Sequence, residues 1–162
     1  MNEASVLSKM FNPFIRIAGG KALLWGLCGM LVSVVFSWSS GFHYHGLLHF
    51  GPAPNAAWWC YWSEHLIVWL VPALLFYLGG IIFSRSHIRP IDVFGTVLFA
   101  ELPLLGMNLI NVFPPMKALS QIDPNSTVQE IMSQPYLIAA SFLALLVLPF
   151  FILMLVWLFN AL

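Results

Sequence analysis

The sequence predicts an all-α membrane protein: a polytopic bundle of four transmembrane helices, with short interfacial helices in the N-terminus and the outer loops. Three observations carry this. Hydrophobic residues make up 60% of the 162 and charged residues only 7%, a composition that a water-soluble fold does not need. Four apolar runs, 22–38, 58–83, 93–112 and 136–159, each come close to the ~20 residues that carry a helix across ~30 Å of hydrocarbon. The intervening segments are short and punctuated by Pro, Gly and Ser, as turns between helices are.

Before the first run, Val6, Leu7, Met10, Phe11 and Phe14 recur at helical spacing opposite Ser5, Ser8, Lys9 and Asn12. Residues 5–15 therefore read as an amphipathic interfacial segment, interrupted by Pro13. The first run leaves through the bulky "SWSSGFHYHG" and more runs follow, so it is expected to stay as an anchor rather than to be cleaved. Pro90 suits the first turn of the third helix, where a missing N–H costs nothing. In the second outer loop, Ser126 followed by Gln129 fits a capping box for a short helix ended by Pro135. No long polar stretch separates the runs, and 1–162 reads as a single integral membrane domain.

Five of the six basic residues, Lys9, Arg16, Lys21, Arg85 and Arg89, fall on one side of this arrangement and only Lys117 on the other. The positive-inside rule then places both termini in the cytoplasm, with the bacterial inner membrane as the expected location. Arg85 and Arg89 sit in a tight basic loop that is the best cytoplasmic contact point. A net charge of zero excludes the dense basic surface that nucleic-acid binding requires. Cys28 and Cys60 are too far apart along their helices to be expected in a disulfide.

Two groups of residues offer chemistry. His43, His45 and His49 fall within eight residues of the first outer loop. If 42–50 were helical, His45 and His49 would share one face at i, i+4, with Glu64 or His65 available to close a site for zinc or another transition metal, while His43 would point elsewhere. The structural alternative is that His, Tyr and Trp rings anchor helix ends at headgroup depth, and protonation near pH ~6.5 is a third reading. The second group is Glu101, near the middle of the third run, where an ionised acid costs at least ~2.5–3.5 kcal/mol and is expected in its neutral form. Asn108 and Asn111 extend a polar stripe along the same helix, and Pro103 frees the carbonyl of Phe99. That stripe lines a proton or ion path, or else holds the bundle together by hydrogen bonds. Neither a nucleophile motif nor a phosphate-cradling loop is present, so no enzyme and no cofactor are expected.

Three stretches, "FNPFIRIAGGKALLWGL" (11–27), "HYHGLLHFG" (43–51) and "IRPIDVFGTVLFAELPLL" (88–105), resemble bacterial multi-pass proteins of the YIP family. Asn12-Pro13, Lys21-Ala22-Leu23, Asp92 and Gly95-Thr96 carry the resemblance. It implies a small membrane bundle of about five helices with no catalytic residues or cofactor. Two departures stand out: the sequence stops at Asn160-Ala161-Leu162, where the resemblance leads to the expectation of a fifth helix, either missing or never present, and Glu101-Leu102-Pro103 stands where a basic residue is expected. A GTPase partner is not carried over. The reading that follows is a non-enzymatic protein acting by association, with itself as a homo-oligomer or with a membrane partner, within the lipid bilayer. A transporter or proton-conducting component built on Glu101 and an outer-face metal-binding protein are the alternatives.

Overall fold

The computed structural model describes residues 10–46, 49–52, 56–84, 87–123 and 125–161, with the backbone alone at 49 and 50. Four helical spans account for most of the chain: α1 Gly19–Ser40, a second helix Trp58–Phe83 (α2), a third built from two pieces, and a last helix Leu137–Asn160. They are long and apolar enough to cross a membrane, and the chain is an all-α integral membrane protein. Each span runs within three residues of the boundaries expected from hydropathy. α1 stops at Gly41, whose φ of 72° gives the left-handed turn that returns its N–H to Ser37 O at 3.0 Å.

The third span is not the continuous helix expected over 93–112. It consists of α3, Pro90–Ala100, and α4, Pro103–Asn111, with Glu101 and Leu102 at the joint. Pro103 has no N–H to continue the ladder, so the chain tightens there: Glu101 N–H bonds Leu98 O at 3.3 Å and Leu102 N–H bonds Phe99 O at 3.1 Å. The carbonyl that proline was expected to free is thus taken up locally.

The first outer loop departs furthest from expectation. Between α1 and α2 the chain forms an antiparallel hairpin, β1 Phe42–Gly46 and β2 His49–Pro52, pairing His43 with Gly51 and Tyr44 with Phe50. His45 and His49 lie on two paired strands rather than one helix, so the i, i+4 argument for them fails. The physical reason is a period of two: Phe42 and Tyr44 are buried while His43 and His45 alternate with them on the more open side. A register shift between Tyr44 and Gly46 bulges β1 at His45.

After α4 come two short helices, α5 Pro114–Ser120 and α6 Val128–Met132, before the last span, α7. The capping box of α6 lies one residue beyond the expected pair. Thr127 Oγ1 accepts from Glu130 N–H at 3.3 Å and Glu130 accepts from Thr127 N–H at 2.7 Å. Residues 5–9 of the expected amphipathic segment lie outside the described residues. The remainder, ending in a tight turn at Pro13–Ile15, rests on α7: Trp157 Nε1 donates to Met10 O at 2.8 Å and Asn160 Nδ2 to Phe11 O at 2.9 Å.

The third span is the centre of the bundle. Its apolar window is 61% buried, against 33% for α1, 11% for α2 and 6% for α7. α1 lies along it on a seam of small buried residues, Gly19, Ala22, Gly26, Gly29, Ser33, Ser37 and Ser40. At Gly26 the approach is backbone to backbone, since a Cβ there would stand 3.0 Å from the carbonyl carbon of Leu98 and the nitrogen of Phe99. Without a hydrophobic drive between helices in lipid, such close contact is what holds spans together. Gly26 faces Leu98 and Ser33 bonds Asn108, so α1 and the third span run in the same direction and place their polar residues at matching depth.

Candidate functional site

The hairpin folds over the first turns of α2 and is fastened there by one carboxylate. Glu64 Oε1 lies 2.5 Å from His43 Nδ1, and Glu64 Oε2 accepts the backbone N–H of Tyr44 at 3.1 Å. His43 and His45 bring their ring centroids to 4.1 Å. With Glu64, Gly46, Ile67 and Val68 they line an open pocket of about 320 Å³ at the hairpin end of the bundle.

Beneath the hairpin, Tyr44 is 5% exposed and its hydroxyl enters a buried polar cluster. Asn108 Nδ2 donates to Tyr44 Oη at 3.0 Å and also to Ser33 Oγ. The Tyr44 hydroxyl is in turn hydrogen-bonded to Ser33, and burial raises its pKa well above the usual phenol range. His65 completes the cluster: its Nδ1 meets the carbonyl of Tyr61 at 2.7 Å and its Nε2 meets Ser33 Oγ at 3.0 Å. A carbonyl only accepts, so Nδ1 carries the proton and Nε2 accepts from the serine. Tyr44, Ser33 and His65 form a line of groups that each donate and accept, and the Asn108 amide holds two of them in place.

Ser33 and His65 also line a cavity of about 20 Å³ with Gly26, Gly29, Leu102 and Glu101. That volume holds one water molecule. Glu101 Oε1 is buried without a hydrogen-bond partner among the described residues, and it reaches this cavity from the joint between α3 and α4. Serine against histidine is also nucleophile–base geometry, but a water-sized space leaves no room for an acyl substrate. Along α3 before Glu101 the buried residues are apolar: Val97, Phe99 and Ala100, with Phe99 stacked on Trp157 at 5.6 Å.

The structure sorts the residues expected from sequence. Glu101 and Asn108 both belong to the buried polar region, yet Asn108 bonds Ser33 and Tyr44, not Glu101. Asn111 is 1% exposed with neither amide atom paired. Glu64 lies at the loop histidines, but through His43, the residue that a helical loop would have pointed away. Among the described residues, no three His, Cys, Asp or Glu side chains gather around one point, and the side chain of His49 lies outside them. Arg89 is exposed and 3.8 Å from Asp92, a pair worth little in solvent; Arg85 lies outside the described residues. Ser33 and Tyr44 were not singled out by sequence. The signal for Ser33 was there, in small residues spaced three and four apart along 19–40; Tyr44 had none.

These features define an integral membrane protein with a buried, partly unsatisfied polar core closed at one end by a hairpin. Compared with models of protein families, with curated proteins and with solved structures, the chain matches none. The resemblance to the YIP family therefore finds no support beyond the residues that suggested it.

Proposed function

We propose that this protein is a proton-conducting component in which Glu101 exchanges a proton with the hairpin end of the membrane. The observation that carries the reading is the hydrogen-bonded line Tyr44, Ser33, His65, opening onto a water-sized cavity shared with Glu101. Tyr44 and Ser33 each pass a proton by accepting on one side and donating on the other; His65 accepts from Ser33 at Nε2 while its Nδ1–H is held by the Tyr61 carbonyl, so the exit to the cavity lies at Ser33. One water in the cavity completes the connection to the carboxyl group. An intramembrane acid facing the bundle interior is the usual element of such relays. The apolar stack of Phe99 and Trp157 lies beyond it, so conduction across the membrane requires that stack to part and let the Glu101 proton leave on the other side. The positive-inside bias supports a hairpin that faces away from the cytoplasm.

The test is proton flux in proteoliposomes under an imposed membrane potential, read with an entrapped pH dye. Wild-type protein should conduct, and Glu101→Gln and Ser33→Ala should each reduce the flux at least about tenfold, the range general acid–base groups contribute. Absence of flux in wild type, or full flux in Glu101→Gln, would sink the reading. Association with a second copy or another membrane protein is a separate reading. It is favoured by α7, whose apolar window is only 6% buried, and single-molecule photobleaching in bilayers tests it: one bleaching step per spot throughout would remove the homo-oligomer.

A further inference from the structure

We propose that the hairpin carries a binding site for one late first-row divalent metal ion, such as Zn²⁺, held by the imidazoles of His43 and His45, with Glu64 fixing the His43 ring from behind. The pocket shares Tyr44 with the proton line, but the ligands proposed are not members of it, and the site stands whether or not that reading holds. Its geometry begins at the short contact between His43 Nδ1 and Glu64 Oε1, 2.5 Å. An imidazole whose Nδ1–H is given to a carboxylate has its Nε2 lone pair left to present to an incoming ion. This carboxylate–histidine arrangement recurs behind metal-ligating histidines because it sets both tautomer and ring orientation. Glu64 is itself held by the backbone N–H of Tyr44 at 3.1 Å, so the carboxylate is anchored at both oxygens before any ion arrives.

The second ligand stands beside the first. Two nitrogens on one ion at ~2.0–2.1 Å each lie at most ~4 Å apart. Ring centroids 4.1 Å apart, tilted by 60°, place the two imidazoles side by side on the pocket wall. The two residues are neighbours on β1 at i, i+2, the strand counterpart of the helical i, i+4 pair. The pocket they line is open, about 320 Å³, and its lining among the described residues includes no lysine or arginine to repel a cation. His43 and Glu64 are 14% and 18% exposed as side chains, accessible to an ion yet partly shielded from competing water. Imidazole nitrogens favour zinc, copper and nickel over magnesium or calcium. Waters from the open side fill the remaining positions, as in sites that keep exchangeable coordination.

Titration of detergent-purified, tag-free protein with Zn²⁺ by calorimetry, with elemental analysis after gel filtration, tests this. Wild type should bind about one ion per chain, and His45→Ala should weaken binding at least about tenfold. His45 is exposed on the hairpin, so that change leaves the buried packing alone. Glu64→Gln should retain the stoichiometry and weaken affinity about 10–100-fold, the cost of losing a partner behind a ligand. Cu²⁺ loaded in place of Zn²⁺ gives an independent reading, because nitrogen hyperfine structure in its electron paramagnetic resonance spectrum counts the imidazoles. Two nitrogens in wild type and one in His45→Ala are expected. No bound ion in wild type, or His45→Ala and His43→Ala binding as wild type does, would overturn the site. Affinity unchanged in Glu64→Gln would overturn the role given to the carboxylate.

Discussion

The side-chain amide of Asn108 reaches the hydroxyl of Tyr44 at 3.0 Å and in doing so ties the hairpin to the central span. The same amide donates to Ser33 on α1, so a single fully buried residue joins three segments that are distant in sequence. Asn108→Leu should destabilise the protein by about 1–2 kcal/mol, the upper range of interhelical hydrogen bonds in membranes. In a double-mutant cycle with Tyr44→Phe, read by unfolding in mixed micelles, the two losses should be less than additive. Strict additivity would show that the contact contributes no coupling.

Gly26 and Gly79 should answer the same substitution in opposite ways. A methyl group at Gly26 collides with the Leu98–Phe99 backbone, whereas nothing lies within 4 Å of one at Gly79. Gly26→Ala should cost about 1–3 kcal/mol through forced separation of α1 from the third span. Gly79→Ala should be neutral or stabilising by up to about 1 kcal/mol. Equal effects would mean that the seam along α1 is not a tight contact.

Glu64 holds the hairpin as well as the imidazole behind which it lies. In Glu64→Ala both oxygens are lost, and amide hydrogen exchange across residues 42–46 should accelerate while α2 keeps its protection. Glu64→Gln keeps an oxygen for Tyr44 N–H and should leave that amide closer to wild type. Unchanged exchange in the alanine variant would mean that pairing with β2 and burial of Phe42 and Tyr44 suffice.

Burial raises the pKa of Tyr44, and the linkage has a definite sign. Below ~10, where an unperturbed phenol ionises, the neutral form is present folded and unfolded alike, and the full stability is kept. Above ~10 the unfolded chain loses this proton while the folded chain retains it, so stability falls as pH rises. Tyr44→Phe should remove that alkaline loss, and absorbance of tyrosinate through pH ~10 should match wild type, because Tyr44 does not ionise there.

The spans were legible in the sequence because crossing lipid imposes a length and a composition on each helix separately. The same is true of Pro90 at the head of α3 and of the isolated acid at 101: each is a property of a residue and its immediate neighbours. The capping box at Thr127 and Glu130 was missed by one position, since Ser126 and Gln129 satisfy the same local rule and only the path of the loop chooses between them. The hairpin was missed because its period-two pattern spans five residues rich in His and aromatics, too short to outweigh an interfacial helix until α2, α4 and α7 bury Tyr44 and α5 and α7 bury Phe42.

The candidate site divides along the same line. By itself, the sequence determined that Glu101, Asn108 and Asn111 lie within a span, that they need internal partners, and that a histidine-rich loop stands at one end, since hydration cost and hydropathy act on each residue wherever its helix packs. Only the tertiary structure decided that Asn108 answers Ser33 and Tyr44, that His65 turns inward toward Ser33, and that Glu64 selects His43. Those pairings depend on which helices lie side by side and in which direction they run. Both are settled by close packing along the small-residue seam of α1, a contact between segments some seventy residues apart that no local pattern encodes.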